Sequence, residues 1–108
     1  RDALAAALAD LRASTARILD AWHNDRPLAL ASAFDYMMQA GYVMGGWHLL
    51  RSALVAHAKL DAGNDNPFYT CKLATARFYC ESVLPKAAGH AGAVGTVGGL
   101  LEFAEAWL

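Results

Sequence analysis

The residues of this chain whose types suit catalysis or ligation are His23, His48, His57, His90, Cys71, Cys80, four serines and a few carboxylates. A zinc site needs several imidazoles or thiolates that converge, and its sequence signature is paired ligands at short spacing. No histidine reads as having a ligand-type partner four residues away, so no metal is expected. His48 lies on an apolar stripe and reads as a hydrogen-bonded core or interface residue. Cys71 and Cys80 lack a CxxC or a local histidine that would activate a thiolate. Ser14, Ser32, Ser52 and Ser82 fall inside helical patterns without a nucleophile elbow, and Glu81, Glu102 and Glu105 offer no acid/base pair. The turn-forming run 61–66, DAGNDN, has aspartates but not the ligand spacing or closing glutamate of a calcium loop. The run 95–99, GTVGG, follows a helix and lacks the Lys-Ser/Thr of a phosphate loop. The residues by themselves define no active site.

Composition narrows the classes further. The 108 residues are 56% hydrophobic and 18% charged, richer in apolar groups than an average soluble domain. Such a chain has an alanine-rich core, apolar surface that faces a partner, or both. The net charge of −1 and the absence of a Lys/Arg run argue against nucleic acid or an anionic membrane. The longest uncharged run, Tyr36 to Leu50, is too short to span a bilayer and suits a buried helix. The two cysteines stand on opposite sides of one helix, cannot bridge within it, and read as reduced thiols of a cytoplasmic protein. The start at Arg1 reads as a cut in a longer polypeptide.

Three helical stretches must position these residues. Leu4, Leu8, Leu11, Thr15, Ile18 and Trp22 repeat at three and four, which predicts an amphipathic helix over residues 1–22. A second helix is expected from Pro27 to Leu60, about 50 Å long. It carries one stripe through Ala33, Tyr36, Ala40, Val43, Trp47, Leu50 and Leu54, and a neighbouring stripe through Leu30, Phe34, Met37, Gly41, Met44 and His48. A third helix opens with Asn66 as N-cap and Pro67 in the first turn. It runs past Pro85, which must kink it or start a new segment. Tyr69, Leu73, Ala76, Cys80, Val83, Leu84 and Ala87 form its main stripe. The glycine-rich stretch 87–99 reads as a fraying end with mobile turns, and residues 100–108 as a short amphipathic segment. The fold expected is all-α, one antiparallel bundle of three to four helices over residues 1–108.

Gly41, Gly45 and Gly46 each cost roughly 1 kcal/mol against alanine inside a helix, so each needs a reason. The structural reason is close approach of another helix; the functional one is admission of a ligand, in a pocket lined by Tyr42, Met44, Trp47 and His48. Folding the second and third helices back on each other brings Gly46 and Trp47 opposite Cys80 and Glu81, and Arg51 opposite Arg77. Two arginines there repel, so Glu81 is expected to pair with one or both, with Asp35 as the other candidate partner. The packing and interface set is therefore Gly41, Gly45, Gly46, Trp47, Arg51, Arg77, Phe78 and Glu81. Exposure of Trp22, Trp47, Phe78 or Trp107 would mark a surface that meets another protein.

Gly45-Gly46-Trp47, Arg51 and Ala53-Leu54, then Pro67-Phe68-Tyr69, then Lys72-Leu73-Ala74-Thr75-Ala76-Arg77-Phe78-Tyr79, Glu81 and Val83-Leu84-Pro85 resemble one family. The match is to the C-terminal helical domain of bacterial acyl-CoA dehydrogenase-like proteins, the subgroup that includes methylmercaptopropionyl-CoA dehydrogenases. It extends from about Leu4 to Leu84 and is densest between Lys72 and Pro85. The resemblance implies an FAD-dependent parent enzyme of fatty acid metabolism that oxidises the α,β bond of an acyl-CoA thioester. The catalytic carboxylate, the flavin and the thioester would belong to segments preceding this domain, so no catalytic or cofactor-binding residue carries over. The domain would pack on the catalytic domains of its parent and contribute to a homo-oligomer. The reading from another class is a free-standing helical module that binds a ligand or a protein.

Overall fold

The computed structural model describes residues 1–95 and 106–107, and its elements are all helical. They are α1 (Asp2–Asn24), α2 (Arg26–Ala31), α3 (Ala33–Asp61), α4 (Pro67–Phe78), a π-helical turn (Tyr79–Val83) and α5 (Lys86–Ala93). Helix α3 is central, and α1, α4 and α5 all pack on it. The contacts fix the directions. Leu4 reaches Gly46 while Thr15 bonds Tyr36, so α1 runs antiparallel to α3. Tyr79 bonds Tyr42, His90 pairs with Asp35 and Gly95 bonds Ser32, so the α4–α5 arm also runs back along α3. The all-α antiparallel bundle is the fold expected.

The core is built largely from small residues. Leu4, Val43, Leu84 and Ala87 form its centre, with Leu11, Leu50, Tyr79 and Cys80 packed around them. Ala21, Ala29, Ala56, Ala76 and Ala91 are also buried. This choice turns α1 relative to its expected stripe. Its buried positions are Leu4, Ser14 and Ala21, while Leu8 and Trp22 are more than two-fifths exposed. Small side chains let helix backbones approach closely, and bulky ones are left at the rim. Arg17 fastens the same contact by donating to Ser14 Oγ at 3.1 Å and to the Ala91 carbonyl at 3.2 Å.

The single second helix expected from Pro27 to Leu60 is instead two. Asp25 caps α2 by accepting from the Leu28 amide, Pro27 sits in the first turn, and the helix stops at Ser32. Ser32 is buried, and its Oγ accepts from the Gly95 amide at 3.0 Å. The third stretch begins as expected: Asn66 Oδ1 accepts from the Phe68 amide at 3.0 Å. Gly63, at φ +88°, supplies the left-handed turn before it. Before Pro85 the helix widens into the π turn, where the Leu84 amide donates to the Tyr79 carbonyl at 2.8 Å. Proline has no amide to offer the carbonyl four residues back, and its ring crowds that carbonyl. A wider turn relieves both conflicts and a fresh helix follows.

The expectation of a fraying end from residue 87 is corrected over its first half. Residues 86–93 are helical, Ala87, Ala91 and Val94 are buried, and Gly95 at φ +83° ends the run. Residues 96–105 and 108, and with them most of the expected amphipathic segment, lie outside the described residues. Within that segment Ala106 and Trp107 are helical and exposed.

Candidate functional site

Gly45 and Gly46 are occupied by the chain itself. The Tyr79 ring, at the start of the π turn, lies across them, and its hydroxyl donates to the Tyr42 carbonyl at 2.6 Å. A Cβ built on Gly45 would stand 2.5 Å from that hydroxyl oxygen, and one on Gly46 would stand 3.2 Å from Leu4 Cδ1. Burial, then the neighbouring Tyr42 and Cys80, raise the Tyr79 phenol above its ordinary value. The ligand pocket expected over these glycines is therefore filled by Tyr79. Gly41 differs, because a Cβ there would meet nothing within 4 Å; it is not a packing position among the described residues.

The charged residues redistribute. Arg77 Nε bonds Glu81 Oε1 at 2.8 Å, an exposed pair one helical turn apart. That bond and the Glu81 charge raise the Arg77 value further. Arg51 does not join them; its guanidinium lies 4.9 Å above the Trp47 ring, and Trp47 in turn lies 4.8 Å from the His48 ring. Asp35 pairs with His90 rather than with an arginine. His57 does have a ligand-type partner four residues on, since its Nδ1 lies 3.1 Å from Asp61 Oδ2. That exposed couple has no third ligand: no group of three candidate metal ligands exists among the described residues.

His90 and Asp35 are the arrangement closest to chemistry, and sequence reasoning missed them. His90 Nδ1 lies 2.8 Å from Asp35 Oδ1; the Tyr42 ring stacks at 5.9 Å and Phe34 meets the imidazole edge-on at 6.3 Å. A carboxylate-oriented imidazole suits general-base work when a nucleophile is within reach. Here the neighbouring hydroxyls are otherwise engaged. Ser32 accepts from Gly95, and Thr15 and Tyr36 bond each other at 2.7 Å. The pair ties α5 to α3. The signal for it was available: the antiparallel register that faces Gly46 with Cys80 also brings Asp35 near His90 when followed through Pro85.

Large apolar side chains dominate the surface. Leu30, Phe34, Met37, Met44 and Trp47 on α2 and α3 are all exposed, as are Trp22, Phe78 and Trp107. Between α1 and α3 an open groove of about 310 Å³ is lined by Leu4, Leu8, Leu11, Val43, Met44 and Trp47. A second hollow, of about 260 Å³, runs between α3 and α4 beside Val55, Phe68 and Lys72. A flavin dinucleotide needs donors for its ring system and its pyrophosphate. The larger groove offers six hydrocarbon or thioether side chains and an indole, which do not fit that group. The buried Gln39 amide has no hydrogen-bond partner for either polar atom, and it belongs to the helix interface rather than to a groove wall.

Residues 1–101 match the family described as acetyl-CoA dehydrogenase C-terminal like. The chain belongs to this family. Over 85 residues it is 36% identical to a 3-methylmercaptopropionyl-CoA dehydrogenase of Ruegeria pomeroyi, covering 75% of this chain and 14% of that protein. Over 53 residues it is 42% identical to the broad-specificity linear acyl-CoA dehydrogenase FadE5 of Mycobacterium tuberculosis, covering 46% of this chain and 9% of that one. The chain thus corresponds to a small share of the length of these relatives. No solved structure gives a significant match. For a member of this family, broad apolar faces and the lack of a nucleophile beside His90 are features of a surface for protein contact.

Proposed function

We propose that this chain is the C-terminal helical domain of an FAD-dependent acyl-CoA dehydrogenase, with a structural and assembly role and no catalysis of its own. The observation that carries this reading is the family match over residues 1–101 joined to the uncovered apolar faces of α1 and α3. Patches of that kind on a small domain mark contact with another protein. The parent would oxidise the α,β bond of an acyl-CoA thioester, and FAD and the catalytic carboxylate would be held by its other domains. A cytoplasmic location accords with the two free thiols. It accords also with the fact that no helix among the described residues is long and apolar enough to cross a membrane.

The test compares the chain with a full-length parent reading frame. Each is assayed for a flavin absorbance band and for acyl-CoA-dependent reduction of an electron acceptor. Flavin and turnover in the long form alone are the expected result. A reading frame with no flavin domain would remove the dehydrogenase reading. The groove between α1 and α3 supports a second reading, a helical module that binds an apolar ligand or protein segment. Saturable binding of an apolar fluorescent probe, blocked by Leu8→Glu, would favour that one.

A further inference from the structure

One face of α3 is left open by every helix of the fold. Its positions are Phe34, Met37, Gly41, Met44, His48 and Arg51, all exposed. They follow one another at three, four, three, four and three residues, the spacing of a helix–helix seam. Leu30 and Val55, also exposed, extend the alternation at either end. From Tyr36 to Leu50 no charged residue interrupts it. Such a seam is made for another helix, and its pattern says which one.

Read backwards, the spacing is the same. Two copies of α3 laid antiparallel therefore align layer by layer, each layer occurring twice about the two-fold axis. Gly41 then faces Met44 of the second copy, a hole against a knob. Met37 faces His48, Phe34 faces Arg51, which suits an aromatic face and a guanidinium, and Leu30 faces Val55. No like charges meet. A parallel alignment would set Arg51 against Arg51, Phe34 against Phe34 and Gly41 against Gly41, adding repulsion and a void. A helix from another domain would need no such symmetry. We infer that this face of α3 binds a second copy of the chain, antiparallel, with the two-fold axis passing between Gly41 and Met44. The inference deepens the assembly role proposed above by naming the partner and the residues.

Sedimentation equilibrium on the whole chain tests it. A reversible dimer is expected. Gly41→Glu, at a position with nothing within 4 Å, should keep the helical circular dichroism and raise the dissociation constant by about 100-fold, through two like charges near the axis. Gly41→Met alone should also weaken the dimer, and Gly41→Met with Met44→Gly should restore it to within about tenfold of the parent. A chain that stays monomeric, a dimer that ignores Gly41→Glu, or a size swap that fails to restore association overturns the inference. If the monomer instead binds separately produced catalytic domains, and Gly41→Glu abolishes that, the assembly role stands while the second copy is excluded. The sedimentation result is read without flavin or substrate, so loss of the dehydrogenase reading leaves it intact.

Discussion

Single atoms decide several of the features above. Gly45 is required because Tyr79 occupies the space a methyl group would take, with its hydroxyl 2.5 Å from the position of a Cβ. Gly45→Ala gains helix propensity worth roughly 1 kcal/mol, but it displaces the ring and breaks the bond to the Tyr42 carbonyl. The outcome expected in urea unfolding is a net loss of about 1–3 kcal/mol. Gly89, exposed and with nothing within 4 Å, provides the contrast: Gly89→Ala should stabilise by about 0.5–1 kcal/mol. Tyr79 also predicts a pH dependence. Its folded value is raised above the ordinary 10.0, so above that pH the unfolded chain loses the phenolic proton first. Stability from this group is complete below pH 10.0 and is lost as the pH rises through the folded value. Unfolding midpoints taken upward from pH 9 should fall, and Tyr79→Phe should flatten that limb after allowance for its lower starting stability.

At the level of helices, much of the arrangement was legible because strong local signals agreed. Asn66 with Pro67 fixed the start of α4, and the main stripe from Tyr69 to Ala87 does face the bundle. Pro85 announced an interruption, and the π turn is its form. What could not be read depends on contacts between distant segments. Ser32 breaks the second helical stretch because a glycine sixty-three residues later bonds its hydroxyl. Leu8 and Trp22 sit at the rim of α1 because Ser14 and Ala21 win the close contact, a choice that hydrophobic periodicity ranks the other way. At the candidate site the Arg77–Glu81 bond was readable from its spacing, whereas His90 with Asp35 and Tyr79 over Gly45 were not. The His90 contact makes α5 the element to probe. In His90→Ala, amide exchange in residues 86–93 should accelerate several-fold while α4 keeps its protection. Equal acceleration in both would mean that the pair holds the whole bundle rather than one arm.

For the molecule as a whole, the balance between core and surface is unusual. Alanines fill much of the interior, while Leu30, Phe34, Met37, Val55 and Phe78 are each more than half exposed. The apolar area that could stabilise the chain is thus partly kept for association. Contact of that origin weakens on cooling, so the dimer measured by sedimentation should dissociate more readily at 5 °C than at 25 °C; a dimer held by ion pairs would not follow that trend. The alanine interior has a further consequence, for how this sequence can change over time. Ala21, Ala29, Ala56, Ala76, Ala87 and Ala91 sit where helices touch, and each is less than a tenth exposed. A larger residue at any of them pushes two helices apart, and a glycine weakens the helix it sits in. A core of leucines can exchange volume between neighbours, one shrinking as another grows. Here there is almost no volume to trade, so drift is confined to the outward faces, and the interior must pass from one descendant to the next nearly unaltered.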